Sequence, residues 1–207
     1  MPNWAYFDME VTGEIETLKQ FREAFKSTDK DGKDVALDSE KILPYPEEMK
    51  KADKEHKEWQ DNFDKMEWKD DEERMQWIEK NPQPKDGYNA MNGYDWCRDN
   101  WGSKWGICEP DLVDDAKEEG DSLHYYGTSP WCIPEGLFAE MSRRFPDVTI
   151  VIDTSEESNA FVGEMEWQAG ELVRDDTHEP SLLEIQERNC YTDEEMVEYY
   201  GEDWKEE

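Results

Sequence analysis

Apolar and polar positions alternate from Trp4 to Val11, where Ala5, Phe7, Met9 and Val11 interleave with Tyr6, Asp8 and Glu10. That period of two predicts a half-buried strand. Gly13 closes it, and the period then lengthens. Leu18, Phe21 and Phe25, with Ala24 beside them, share one face of a helix ending near Ser27. The polar stretch from Ser27 to Asp38 reads as a loop. Ile42-Leu43-Pro44-Tyr45-Pro46 reads as a short extended piece, because each proline disfavours helical geometry in the residue before it.

From Glu47 to about Lys80 the chain turns to Lys, Glu, Asp, Trp and Met, and Trp59, Phe63 and Met66 form a helical stripe that Met75 and Ile78 continue. This predicts a helical insertion over about 47–85, ended by Pro82 and Pro84. An aromatic block follows, Tyr94 to Gly106. Leu123–Thr128 predicts a strand, and Leu137, Phe138, Met141 and Phe145 a helix opened by Pro134. Val148, Ile150 and Ile152, then Phe161, Met165 and Trp167, give two more strands. The order strand–helix–strand–strand–helix–strand–strand is that of a two-layer α+β sandwich, an antiparallel sheet with helices on one face. Residues 1–170 form this domain and 171–207 a helical extension, since Ser181 with Glu184 and Thr192 with Glu195 fit capping boxes.

Charge changes the picture most. The 207 residues carry 55 Asp and Glu against 23 Lys and Arg, a formal net −32. Such an excess repels nucleic acid and anionic membrane, so a charged partner should be basic. A globule of this mass exposes roughly 10,000 Å², so the net charge is too dilute to imitate a nucleic acid unless gathered on one face. Ten Trp, nine Tyr and seven Phe argue against disorder. The predominance of Lys over Arg argues against salt adaptation. The run Asp29–Asp34 lacks the bidentate Glu that a calcium loop needs. No apolar run approaches a membrane span, no signal peptide opens the chain, and a cytoplasmic location with four reduced thiols is expected. A zinc set of Cys97, Cys108, His124 and Cys132 matches no standard spacing, so no metal or cofactor is expected.

Four features together resemble the YubB-type ferredoxin-like domain family of phages and plasmids. They are the opening Asn3-Trp4 strand ending at Gly13, the Lys41–Glu48 segment Lys-Ile-Leu-Pro-Tyr-Pro-Glu-Glu, the block Asn100-Trp101-Gly102-Ser103-Lys104-Trp105, and the stretch from Ser129-Pro130-Trp131 to Phe145-Pro146-Asp147. The resemblance spans about 3–168, with Ala5 and Phe7 where the family usually has Cys and Asn. It implies a ferredoxin-like fold in a mobile-element protein and carries over no catalytic residue.

No nucleophile has a recognisable base partner, so no enzyme is expected. Nucleic-acid binding through an aromatic sheet fits the fold but lacks the cations it requires. The leading expectation is a non-enzymatic inhibitor of a basic, nucleic-acid-binding host protein. Its contacts are expected in one acidic cluster of Asp111, Asp114, Asp115, Glu118, Glu119 and Asp121. A second comprises Asp175, Asp176, Glu179, Glu184, Glu187, Asp193, Glu194, Glu195, Glu198, Glu202 and Asp203, with Tyr199, Tyr200 and Trp204 as aromatic anchors. The two clusters are expected on a common face. An adaptor whose acidity serves solubility is one alternative. A small-molecule or nucleotide binder using Trp96, Arg98, Trp101, Lys104 and Trp105 is the other.

Overall fold

The computed structural model describes residues 2–202 and 204–206. The chain runs β1 (Trp4–Thr12), α1 (Ile15–Phe25), the short hairpin β2 (Ser27–Thr28) and β3 (Asp34–Val35), α2 (Ser39–Ile42), α3 (Glu47–Asp64), α4 (Asp71–Lys80), α5 (Gly87–Ala90) and α6 (Gly93–Trp101). It continues through β4 (Cys108–Asp114), β5 (Leu123–Pro130), α7 (Glu135–Arg144), β6 (Thr149–Glu156), β7 (Val162–Gln168), β8 (Glu171–Asp175), α8 (Leu182–Asn189) and α9 (Asp193–Tyr200) to a 3-10 turn, Trp204–Glu206.

The large sheet has the order β4-β5-β1-β6-β7-β8, and every neighbouring pair is antiparallel. Taken as β1-α1-β4-β5-α7-β6, the chain makes the ferredoxin-like arrangement, with the crossover helices on one face; β7 and β8 extend the β6 edge as a meander. The alternation dictates which side the helices cover. Ala5, Phe7, Met9 and Val11 of β1, Leu123 and Tyr125 of β5, and Ile150 and Ile152 of β6 are buried against Leu18, Phe21 and Phe25 of α1 and Leu137, Phe138 and Met141 of α7. Edge-to-face rings tie the sheet to α7 through Phe7 and Phe138, and the two helices to each other through Phe21 and Phe145. One contact is close enough to require glycine: a Cβ at Gly136 would lie 1.9 Å from the Asn100 carbonyl oxygen, so α7 meets the end of α6 at backbone distance.

Several elements differ from the sequence expectation. The chain does not leave the sheet at Gly170, because Glu171–Asp175 pair with β7 as a sixth, edge strand; the helical extension begins only beyond it. Both expected capping boxes are formed, at Ser181–Glu184 and Thr192–Glu195. Ile42 ends the short helix α2 rather than opening an extended piece. Gly102, within the aromatic block, is the left-handed C-cap of α6 at φ 82°.

The insertion is helical, and neither α3 nor α4 contains a fully buried residue. Its aromatic stripe makes a small core of its own: Trp59 stacks on Phe63, and both meet Trp77, which packs against Trp68. The arm returns at its base, where His56 Nδ1 and the Pro84 carbonyl lie 2.9 Å apart. An accessible surface of 12957 Å² exceeds the value expected for a smooth globule of this mass, as a projecting arm requires.

Candidate functional site

Residues that alternate with the core point to the face of the sheet opposite α1 and α7. On β1 these are Trp4, Tyr6, Asp8 and Glu10; on β5, His124 and Tyr126; on β6, Val151 and Asp153; on β7, Glu164 and Glu166. The register sets acids beside acids. Asp8 stands opposite Asp153, and Asp153 stands opposite Glu164. The cation facing them from β8 is Arg174, which pairs with Glu164 and lies 3.7 Å from Glu166 and from Asp176. Across β1 and β5, His124 Nε2 is 3.6 Å from Glu10. Partial burial, reinforced by Asp8 and opposed by Arg188, pushes the Asp153 carboxyl above its ordinary 3.8.

Aromatic rings sit beside these acids on the same face. Tyr6 stacks on Tyr126 with ring centroids 6.4 Å apart, and Trp4 lies 6.3 Å from Trp105. Asp8 is directly across from Tyr126. Burial, with Tyr6 and Asp8 nearby, raises the Tyr126 phenol. The open face therefore joins aromatic area to carboxylates.

The two expected acidic clusters reach this face only in part. Asp114 shares a recess of about 430 Å³ with Asp8, Glu10, Asp153 and Glu164. Glu184 and Glu187 of α8 line a second recess, about 390 Å³, with Asp153, Val162 and Arg188. Asp153 thus links one member of the first cluster to two of the second. Asp111 lies on β4 beside α1 and the β2–β3 hairpin. Asp115 also turns to the helix side, where it accepts from Arg22, and Asp175 faces Glu135 at the start of α7. Asp121 closes its own turn by accepting from the Lys117 and Glu118 N–H groups, which lowers its carboxyl; Glu118 and Glu119 are exposed there.

Much of the tail's acidity has structural work. Glu184 caps α8 and lies 3.0 Å from His178 Nε2; bonds from Ser181 and His178 hold it at about 2. Glu195 caps α9. Asp193 accepts from Lys205 and Gln186, both at 2.7 Å. Asp176 pairs with Arg174, while Glu179, Glu194, Glu198 and Glu202 are exposed. Tyr199 and Tyr200 are 61% and 41% exposed. Trp204 is 3% exposed because its turn packs on both α8 and α9, so it belongs to the tail's own core and is no anchor for a partner. Asp203 lies outside the described residues.

The aromatic block divides. Trp101 is buried, with Nε1 donating to the Leu43 carbonyl at 2.8 Å, and Trp96 packs edge-on against it and Tyr45. Neither lines the shallow pocket that Arg98 and Lys104 form. Arg98 and Lys104 instead meet Tyr94, Pro130, Trp131 and Cys132 around a shallow pocket of about 340 Å³. Lys104 Nζ sits 4.0 Å from the Trp105 ring centroid. Trp131 is half exposed at φ 73°, a left-handed conformation unusual for a bulky side chain.

Among the described residues, no three His, Cys, Asp or Glu side chains are grouped to hold a metal. Cys97 is buried, Cys108 and Cys132 partly so, and Cys190 exposed, all unpaired. No described helix is long and apolar enough to cross a membrane.

Residues 112–203 match the family model described as a ferredoxin-like domain in Api92-like protein. The second half of the chain is similar to that domain. A crystal structure of a protein api92 from Yersinia pseudotuberculosis aligns over 87% of this chain and 98% of its own, at 12% sequence identity and a TM-score of 0.42. No curated protein matches the chain.

Proposed function

We propose that the protein is a non-enzymatic inhibitor that binds a basic, nucleic-acid-binding host protein through the open face of its sheet. The observation that carries this reading is the run Asp8, Asp153 and Glu164, placed in direct cross-strand register and joined to Asp114 on one side and Glu187 on the other. Like charges set directly opposite destabilise a sheet, and although Arg174 pairs with Glu164, no ion pair of Asp8 or Asp153 offsets them among the described residues. A partner that brings cations would. Tyr6 and Tyr126 beside Asp8 suit an arginine, whose guanidinium stacks on a ring while it pairs with a carboxylate.

The anchor is thus assigned to the sheet and not to the tail. The resemblance to phage- and plasmid-borne proteins supports a host protein as the target, with the protein in the host cytoplasm. Exposed ion pairs are individually weak, about 0–1 kcal/mol each, so the reading requires several charges acting around an aromatic centre.

The test is capture of a target from host lysate at low and high salt, followed by competition with DNA or RNA. Capture that falls steeply with salt, is displaced by nucleic acid, and is lost in a Tyr6→Ala/Asp8→Asn variant supports the reading. Salt-insensitive capture that this variant retains would favour the adaptor. The aromatic pocket around Arg98, Lys104 and Trp131 favours a second reading as a site for a small ligand; a saturable change in tryptophan fluorescence, lost in Trp131→Ala, would support it.

A further inference from the structure

A cavity of about 710 Å³ lies on the helix side of the sheet, between the end of α1, the β2–β3 hairpin and β4. This is the size range of small-molecule sites. Its polar groups are incompletely matched. Tyr125 lines it with a side chain 1% exposed whose hydroxyl is buried without a hydrogen-bond partner, and Arg22 Nε is likewise buried without an acceptor. Both are donors, and a buried donor without an acceptor is destabilising. The rest of the Arg22 guanidinium is engaged, Nη1 donating to Asp115 and Nη2 to Glu23, while Lys26 also donates to Glu23. Asp34 and Asp111 line the same cavity and form no ion pair among the described residues.

The cavity therefore asks for an oxygen acceptor beside Tyr125 and Arg22 and for donors or positive charge beside Asp34 and Asp111. A plain anion meets the acids, and a plain cation leaves the two donors unmatched. We propose that the cavity binds a small zwitterion of the amino-acid or short-peptide class, its carboxylate on Tyr125 and Arg22 and its ammonium toward Asp34 and Asp111. This site is independent of the open face, and no partner protein is needed to test it.

The probe is triglycine, titrated into the full chain and followed by amide chemical shifts. Saturable shifts centred on Arg22, Thr28, Asp34 and Tyr125 are expected. N-acetyl-triglycine, without the ammonium, and triglycine amide, without the carboxylate, should each bind about tenfold more weakly, as expected for loss of a charged hydrogen-bond partner. Tyr125→Phe should weaken triglycine about tenfold while raising the melting temperature of the free protein, because it removes an unpaired buried hydroxyl; a merely structural tyrosine would lower it. Asp34→Asn should weaken triglycine but leave the N-acetyl form unchanged. Absence of saturable shifts at tens of millimolar triglycine, or equal affinity in Tyr125→Phe, would overturn the proposal and leave an ordered water as the occupant.

Discussion

Asp8 and Asp153 face one another across neighbouring strands with Glu164 next in line, and no ion pair of Asp8 or Asp153 relieves them among the described residues. Like charges directly opposed on neighbouring strands are destabilising. Asp153→Asn should therefore raise the urea midpoint at neutral pH, although it would weaken partner capture. The pH dependence follows from the direction of its shift. A carboxyl raised above 3.8 in the folded state binds more protons folded than unfolded, so stability falls as pH rises from that value through the folded one. The asparagine variant should be flatter in that window. Glu184 has the opposite sign: held at about 2 instead of 4.5, it contributes above the higher value and loses that contribution as pH falls toward the lower. Protection factors of the first turn of α8, taken against the intrinsic exchange rate at each pH, should fall in acid, and Glu184→Gln should remove the dependence.

At the scale of elements, what the sequence disclosed follows from how regular each environment is. Strands β1, β5, β6 and β7 and helices α1 and α7 have one face in a common core, so their periods are clean and their positions legible. β8 escaped because Glu171–Asp175 is exposed throughout, an edge strand with no buried face to leave a pattern. β4 escaped because register shifts at Cys108/Asp111 and Leu112/Asp114 break its alternation. The open-face acids were visible only singly. Asp8, Asp153 and Glu164 each occupy an ordinary polar position, and pairing alone brings them together; the signal was the outward set Tyr6, Asp8 and Glu10 in a strand already recognised. Two tests belong at this scale. Gly136→Ala drives a methyl group into the Asn100 carbonyl and should cost about 1–3 kcal/mol in urea unfolding, as overpacking does. Replacing residues 58–82 by a short Gly-Ser linker should move the melting temperature by less than about 4 °C, since the arm's aromatic core is its own and roughly 1 kcal/mol corresponds to that shift.

For the whole molecule, 12957 Å² of surface under a net −32 gives about one net charge per 400 Å², more dilute than the smooth-globule value. Uniform acidity at that density imitates no nucleic acid. Function through charge therefore depends on where the acids gather, and the tail poses that question sharply because its carboxylates divide by role. Glu184, Glu195 and Asp193 hold α8 and α9 in place, so reversing them would report on folding. Glu187, Glu194, Glu198 and Glu202 are exposed and take no part in the capping boxes or the Lys205 pair. Changing these four to lysine leaves every cap intact and shifts the net charge by eight. If the tail extends the acidic field of the open face, association with the target should slow and its salt dependence should shallow, while dissociation changes little. The same variant with Asp8→Asn and Asp153→Asn should then lose capture. If the four reversals leave the association rate unchanged, the tail serves its own packing alone, and the charge that matters is confined to the sheet.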